Sequence, residues 1–190
     1  MRRRTFDSLM TAGGLVTTIV LAVAGVLLFV GYSFANNNVH TQLSQQHITM
    51  PAGPAIADPA IKPYLQKYAG QQMTNGAQAE AYANHFIAVH LKEVAGGKTY
   101  SEVSTLARAN PTDATLQGQV QTLFRGETLR GLLLNAYAFW KVGQIALIAG
   151  IAAFAGAVAM ALLTILGFWH LRKVSPNEEF LAPREVSLVA

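Results

Sequence analysis

His85, His90 and Glu93 are the first residues whose types could do acid–base or metal chemistry, and their spacing does not support it. His85 and His90 lie five residues apart, about 140° around a helix, so they do not converge on one ion. Glu93 follows His90 by three residues with no second ligand at a useful offset, unlike the H-E-x-x-H arrangement. His90 falls beside Phe86 and Ile87 on an apolar helical face, which reads as a core histidine hydrogen-bonded to a neighbouring helix. Because burial penalises a charged imidazole, His90 is also a candidate pH-sensitive residue. His40, His47 and His170 read as surface residues near loops or apolar boundaries.

Glu127 and Arg130 form the second constellation. Their order, Glu before Arg at i, i+3, suits an ion pair within one helix. Counted from Leu116, both fall within about 40° of an apolar stripe, where charges need partners. The pair reads as an ion-pair network fixing its helix against neighbours; the sharper reading is an anion contact or a docking point for another subunit. No Ser/His/Asp order, glycine-rich phosphate loop or convincing carboxylate pair appears. The chain contains no cysteine, which excludes disulfides, thiolate metal sites and cysteine nucleophiles. The expectation is therefore no catalytic residue, no metal site and no cofactor.

The elements that hold these residues are unusual. Of 190 residues only 13% are charged, and mean hydropathy is +0.30. That charge content is low for a soluble domain. The net charge of +4 is scattered, with no basic patch interleaved with aromatics, so nucleic acid is not an expected partner. From Val142 to Trp169 the chain carries no charge. A helix from Trp140 to Trp169 would rise roughly 43 Å, close to a full bilayer thickness. Tyr137, Trp140 and Trp169 stand at its ends as interfacial anchors. The spacing predicts a second membrane span over 140–170.

The first span is predicted over 9–35, after a basic N-terminus, 1–8, that holds Arg2, Arg3 and Arg4. Ser33-Phe34-Ala35 would serve as a signal-peptidase site, but the apolar run before it exceeds the 7–15 residues or so of a signal h-region. An uncut anchor is the expectation. Arg2 to Arg4 before the first span and Arg172 and Lys173 after the second put both termini in the cytoplasm. Residues 36–139 then form an extracytoplasmic helical domain, and 171–190 a tail too short for an output domain.

Within 36–139, Asn36 to Met50 continue the first helix and fray. Residues 51–63, with four prolines, forbid a helix and read as a strap; alternatively Pro59 opens a short helix, with Asp58 as its N-cap, through Tyr64, Leu65 and Tyr68 to a stop at Gly70. Ala79, Tyr82, Ala83, Phe86, Ile87 and Val94 predict an amphipathic helix ended by Gly96-Gly97. Thr99 and Glu102 form a capping box for another helix before Pro111. Leu116, Val120, Leu123 and Leu134 lie on one stripe of a long helix that runs on into the second span. Strand signals are nearly absent. The fold class is all-α, two transmembrane helices in a hairpin with the helical domain inserted between them.

Ala149, Ala153, Ala157 and Ala161 recur every four residues, a small-residue ridge of the kind that lets helices approach closely in lipid. It would pack either on the first span, which supplies Gly14, Ala22 and Gly25, or on another subunit. No ionisable residue lies at mid-depth in either run, against transport through this chain alone.

YSEVSTLARAN and QVQTLFRGETLRGLLLNAYAFW resemble a group of small actinobacterial two-span membrane proteins of unknown function. The resemblance covers most of the outer domain and both spans, with Phe124 to Trp140 its most distinctive run. It implies a plasma-membrane location. Sequences of this kind are sometimes labelled the small subunit of a ring-cleaving dioxygenase, but this chain offers no set of iron ligands.

The first functional expectation is a non-catalytic integral membrane subunit, touching lipid and associating with copies of itself or with other membrane proteins. Set against it are an extracytoplasmic ligand- or pH-sensing receptor and a membrane-anchored enzyme whose cofactor sits between subunits.

Overall fold

A computed structural model describes residues 3–174. Those residues are helical, with no strand among them. In chain order they form α1 (Arg3–Gln45), a 3-10 turn (Gly53–Ile56), α2 (Lys62–Leu65) with a 3-10 turn (Gln66–Tyr68), α3 (Gly76–Tyr82), a π-helical turn (Ala83–Ile87), α4 (Ala88–Val94), α5 (Tyr100–Ala109) and α6 (Ala114–Leu171). Two helices, α1 and α6, are long and apolar enough to cross a membrane. The expected tail beyond Val174, and Arg2 of the basic N-terminus, lie outside the described residues. The chain divides into two compact units, Tyr32–Ile145 and the pair Met1–Gly31 with Ala146–Ala190.

In the unit Tyr32–Ile145, α1 does not fray after Asn36 but holds to Gln45, burying Val39 and Leu43. His47, with φ 51°, turns the chain out of the helix. Two short segments then run antiparallel: Met50 N–H donates to Gln71 O at 2.8 Å and Met73 N–H to Ile48 O at 2.8 Å. The proline-rich strap is not extended throughout. Pro54 opens a 3-10 turn, because proline in a first turn lacks only an N–H that has no partner there anyway. Asp58 Oδ1 accepts from Ala60 N–H, and its carbonyl takes Ile61 and Lys62 N–H. The strap is packed: Ile56, Ile61 and Leu65 are buried with Met50 and Met73. Each such side chain contributes about 1.5–3 kcal/mol on burial.

Asn75 opens α3 with a reciprocal capping box to Gln78. Beside the buried Gly76, Gln78 and Ala81 of α3, one buried line runs through the π turn and α4 to its C-cap, Ala79, Ala83, Ile87, Leu91 and Ala95, each four residues from the last. In a regular α-helix that spacing drifts about 40° per step and would leave the core within two turns. The π turn, in which Ala88 N–H reaches back to Ala83 O, takes up the drift. This corrects two sequence expectations. Val94 is exposed instead of lying on the stripe, and His90 is exposed with its Nδ1 donating to Phe86 O, 2.7 Å away on its own helix.

Gly96 and Gly97, at φ 59° and 83°, end α4, and Thr99 with Glu102 caps α5 as the sequence predicts. Asp113 Oδ1 accepts from Thr115 and Leu116 N–H to start α6, which contributes Leu123 and Leu133 to the core. Gly126 lies directly against the Leu91 side chain, so the α6 backbone packs on Leu91 of α4 with no side chain of its own in the way.

In the other unit, α1 and α6 pack antiparallel. Gly14 faces Thr164, Leu21 faces Gly156, Gly25 faces the Phe154 ring, and Thr11 faces Gly167. The buried hydroxyls of Thr11 and Thr164 donate to Asp7 O and Met160 O, each four residues back at 2.7 Å. Their polarity is thus satisfied within their own helices. The alanine ridge takes part only in part: Ala157 is buried, Ala153 and Ala161 are half-buried, and Ala149 is exposed. A strict four-residue repeat drifts around the helix, whereas the contact line here alternates threes and fours through Gly150, Ala153, Ala157, Met160, Thr164 and Gly167.

Candidate functional site

The π turn is where the sequence-selected charges converge. Arg130, on α6, donates from Nε to Ala83 O at 3.1 Å and from one terminal nitrogen to Asn84 Oδ1 at 3.4 Å. Its other terminal nitrogen meets Glu127 Oε2 at 2.8 Å. Asn84 Nδ2 in turn donates to Glu80 Oε1 at 3.0 Å. One guanidinium thus joins two helical segments, with a carboxylate at each end of the network. Arg130 is less exposed than Glu127, its side chain at 24% against 44%. The bonds to Ala83 and Asn84 therefore carry more of the fixing than the exposed ion pair does. A guanidinium so engaged has no lone pair and no free proton transfer to offer, so the network positions helices.

Beside it lies a cavity of about 320 Å³, lined by Pro63, Tyr64, Lys67, Tyr68, Ala77, Glu80, Ala81, His85, Tyr137, Trp140 and Lys141. The π turn supplies His85, whose ring stacks on Tyr64 at 3.5 Å between centroids and 3° between planes. Tyr137 and Trp140 come from α6, 6.3 Å apart. Trp140 is fixed from behind by Gly76: a Cβ there would lie 2.5 Å from Trp140 Cβ. Lys67 Nζ sits 4.7 Å above the Tyr68 ring. Glu80 therefore belongs both to the Arg130 network and to the cavity wall.

The remaining sequence-selected residues stand apart. His90 touches Phe86, ring to ring at 4.4 Å, on its own helical segment. Trp169 is exposed with Lys173 Nζ 3.7 Å over its ring. Tyr82, next to the π turn, is half-buried against Phe86, and burial pushes its phenol above the ordinary value. Among the described residues no three His, Asp or Glu side chains gather as metal ligands.

Sequence reasoning missed Glu80, Asn84, Tyr64 and His85 as a group. Only Asn84 and Glu80, one turn apart, left a trace as a polar pair on the amphipathic helix. The contact of Tyr64 with His85 spans two separate elements and had no local signal.

These features define an all-helical chain with two long apolar helices and an aromatic-walled cavity beside an arginine-clamped π turn. Comparison with family models, with curated proteins and with solved structures finds no match.

Proposed function

We propose that this chain is a two-span plasma-membrane protein with both termini in the cytoplasm and a helical domain outside. Its role in this reading is that of a non-catalytic subunit that associates with itself or with a larger membrane assembly. The observation that supports it most is the exposure of the two long helices. Only 6% of the most apolar stretch of α1 and 11% of that of α6 is buried. A core helix of a soluble protein would bury most of such a stretch, and large exposed apolar surface in water is a liability. Leu27, Ile148, Ile165 and Leu166 are among the side chains left open, and lipid is the environment that accepts them.

The basic residues at Arg3, Arg4, Arg172 and Lys173 favour cytoplasmic ends. Self-association is favoured by a groove between α1 and α6 in the unit Tyr32–Ile145, with Leu129, Leu132 and Phe139 exposed along it. The small residues Gly13, Gly31 and Ala149 lie outside the α1–α6 contact line and would let a second copy approach closely. Extraction in mild detergent followed by native mass measurement tests the role. A defined oligomer or a stoichiometric partner is expected; a strictly monomeric, partner-free species would contradict it.

A further inference from the structure

The geometry points to the aromatic cavity as a binding site for a phospholipid headgroup that carries a primary amine, with Lys67 and Lys141 on the phosphate and Glu80 on the ammonium. The inference rests on reading α6 as a membrane span, and adds a ligand to that reading.

The lining is amphoteric: two ammonium groups and one carboxylate, set among Tyr64, Tyr68, Tyr137 and Trp140. Among the described residues neither lysine makes an ion pair. Lys67 is held over the Tyr68 ring, which steadies the side chain without occupying its three N–H donors. Glu80 uses Oε1 for Asn84, so Oε2 remains to accept from a ligand. A purely anionic headgroup would face that carboxylate at a cost, and a bare ammonium would face both lysines. A phosphodiester with an attached amine satisfies both signs. The aromatic walls add the π faces that an ammonium prefers.

Shape and depth agree. At about 320 Å³ the cavity is in the size range of small-molecule sites. Its walls are already fixed, Tyr64 by the stacked His85 and Trp140 by Gly76. Lys141 is the last charge before the uncharged run, so in a spanning α6 the cavity opens at the headgroup level. Val142 and Ile145, next along the helix, are 61% and 59% exposed and offer acyl chains an apolar track.

The test uses the full chain in detergent, washed free of lipid and then offered phosphatidylethanolamine, phosphatidylglycerol or phosphatidylcholine, with retained lipid read by native mass spectrometry. Phosphatidylethanolamine is expected to be retained about tenfold better than either of the others. The Lys67→Gln/Lys141→Gln chain should lose that retention at an unchanged helical circular dichroism spectrum, and Glu80→Gln should move the preference toward phosphatidylglycerol. Equal retention of all three lipids, or retention indifferent to the lysine substitutions, overturns the proposal. So does full displacement of lipid by equimolar glycerophosphoethanolamine, which would make the source a soluble one. Resistance of the chain to alkaline extraction from membranes is scored separately, so that failure of the lipid site and failure of the spanning reading are told apart.

Discussion

Arg130 Nε donates to the carbonyl oxygen of Ala83 at 3.1 Å, closing a gap of 47 residues in sequence at the one turn of π-helix in the chain's described residues. Ala83 O already accepts the Ala88 N–H that makes the π turn, and a guanidinium from a different helix takes up its second lone pair. Packing and register are coupled at this point: the turn keeps Ala79 to Ala95 on one face, and Arg130 holds the turn.

Replacing Arg130 with Ala removes a charged donor from Ala83 and Asn84. The expected loss is about 1.5–3 kcal/mol, read as a lower midpoint in thermal or denaturant unfolding of the purified protein. Glu127→Gln touches only the exposed end of the network and should cost less than about 1 kcal/mol. Equal effects from the two substitutions would mean that the ion pair, and not the π turn, is what Arg130 serves.

Two glycines of α6 should respond in opposite directions to alanine. At Gly126 an added Cβ runs into the Leu91 side chain, while at Gly118 it meets nothing within 4 Å. Gly126→Ala is expected to destabilise by about 1–3 kcal/mol through overpacking. Gly118→Ala should stabilise by about 0.5–1 kcal/mol, the ordinary gain of removing glycine from a helix interior. Unfolding midpoints of the two variants check the sign directly.

These sites mark where sequence reading succeeds and where it stops. The capping box of Thr99 and Glu102, the stop at Gly96 and Gly97, and the long α6 are local matters of periodicity and end chemistry, and they are legible. The π turn is not, because a regular period of 3.6 residues was assumed through Ala83–Ile87, and that places His90 and Val94 on the wrong face. The spacing pairs Arg130 with Glu127, three residues away, but its partners on the neighbouring helical segment lie 46 and 47 residues distant, where no local pattern points. The alanine ridge rests on a strict four-residue recurrence of small residues, whereas contact follows the alternating three-and-four line that includes Thr164 and Gly167.

The absence of native cysteine makes the α1–α6 contact directly testable. A Cβ at Gly14 would lie 3.9 Å from Thr164 Cβ. That falls within the range of about 3.5–4.5 Å that a disulfide needs. The Gly14→Cys/Thr164→Cys chain should cross-link under mild oxidation, shown as a mobility shift reversed by reductant. A Gly13→Cys/Thr164→Cys chain should not, since Gly13 has nothing within 4 Å. Cross-linking of both pairs alike would argue against the register.

The Glu102 carboxyl is held below the ordinary carboxylate value by the Thr99 backbone N–H, then by the Thr99 hydroxyl, with Lys98 adding a smaller pull. A depressed carboxylate contributes stability above its unfolded value and loses it as pH falls through the folded one. The N-terminus of α5 should therefore loosen only in acid, below the usual range for glutamate. Carboxyl carbon NMR should place the Glu102 midpoint below the ordinary glutamate value, and Thr99→Ala should bring it back toward that value.

The placement of the helical domain outside the cell is tested most directly by thiol labelling of single-cysteine chains in intact cells. Thr112, in the turn before α6, and Thr5, near the start of α1, are both exposed. With a membrane-impermeant maleimide, Thr112→Cys is expected to label in intact cells and Thr5→Cys only after lysis. Labelling of Thr5→Cys but not Thr112→Cys in intact cells, or of neither before lysis, would contradict the proposed topology.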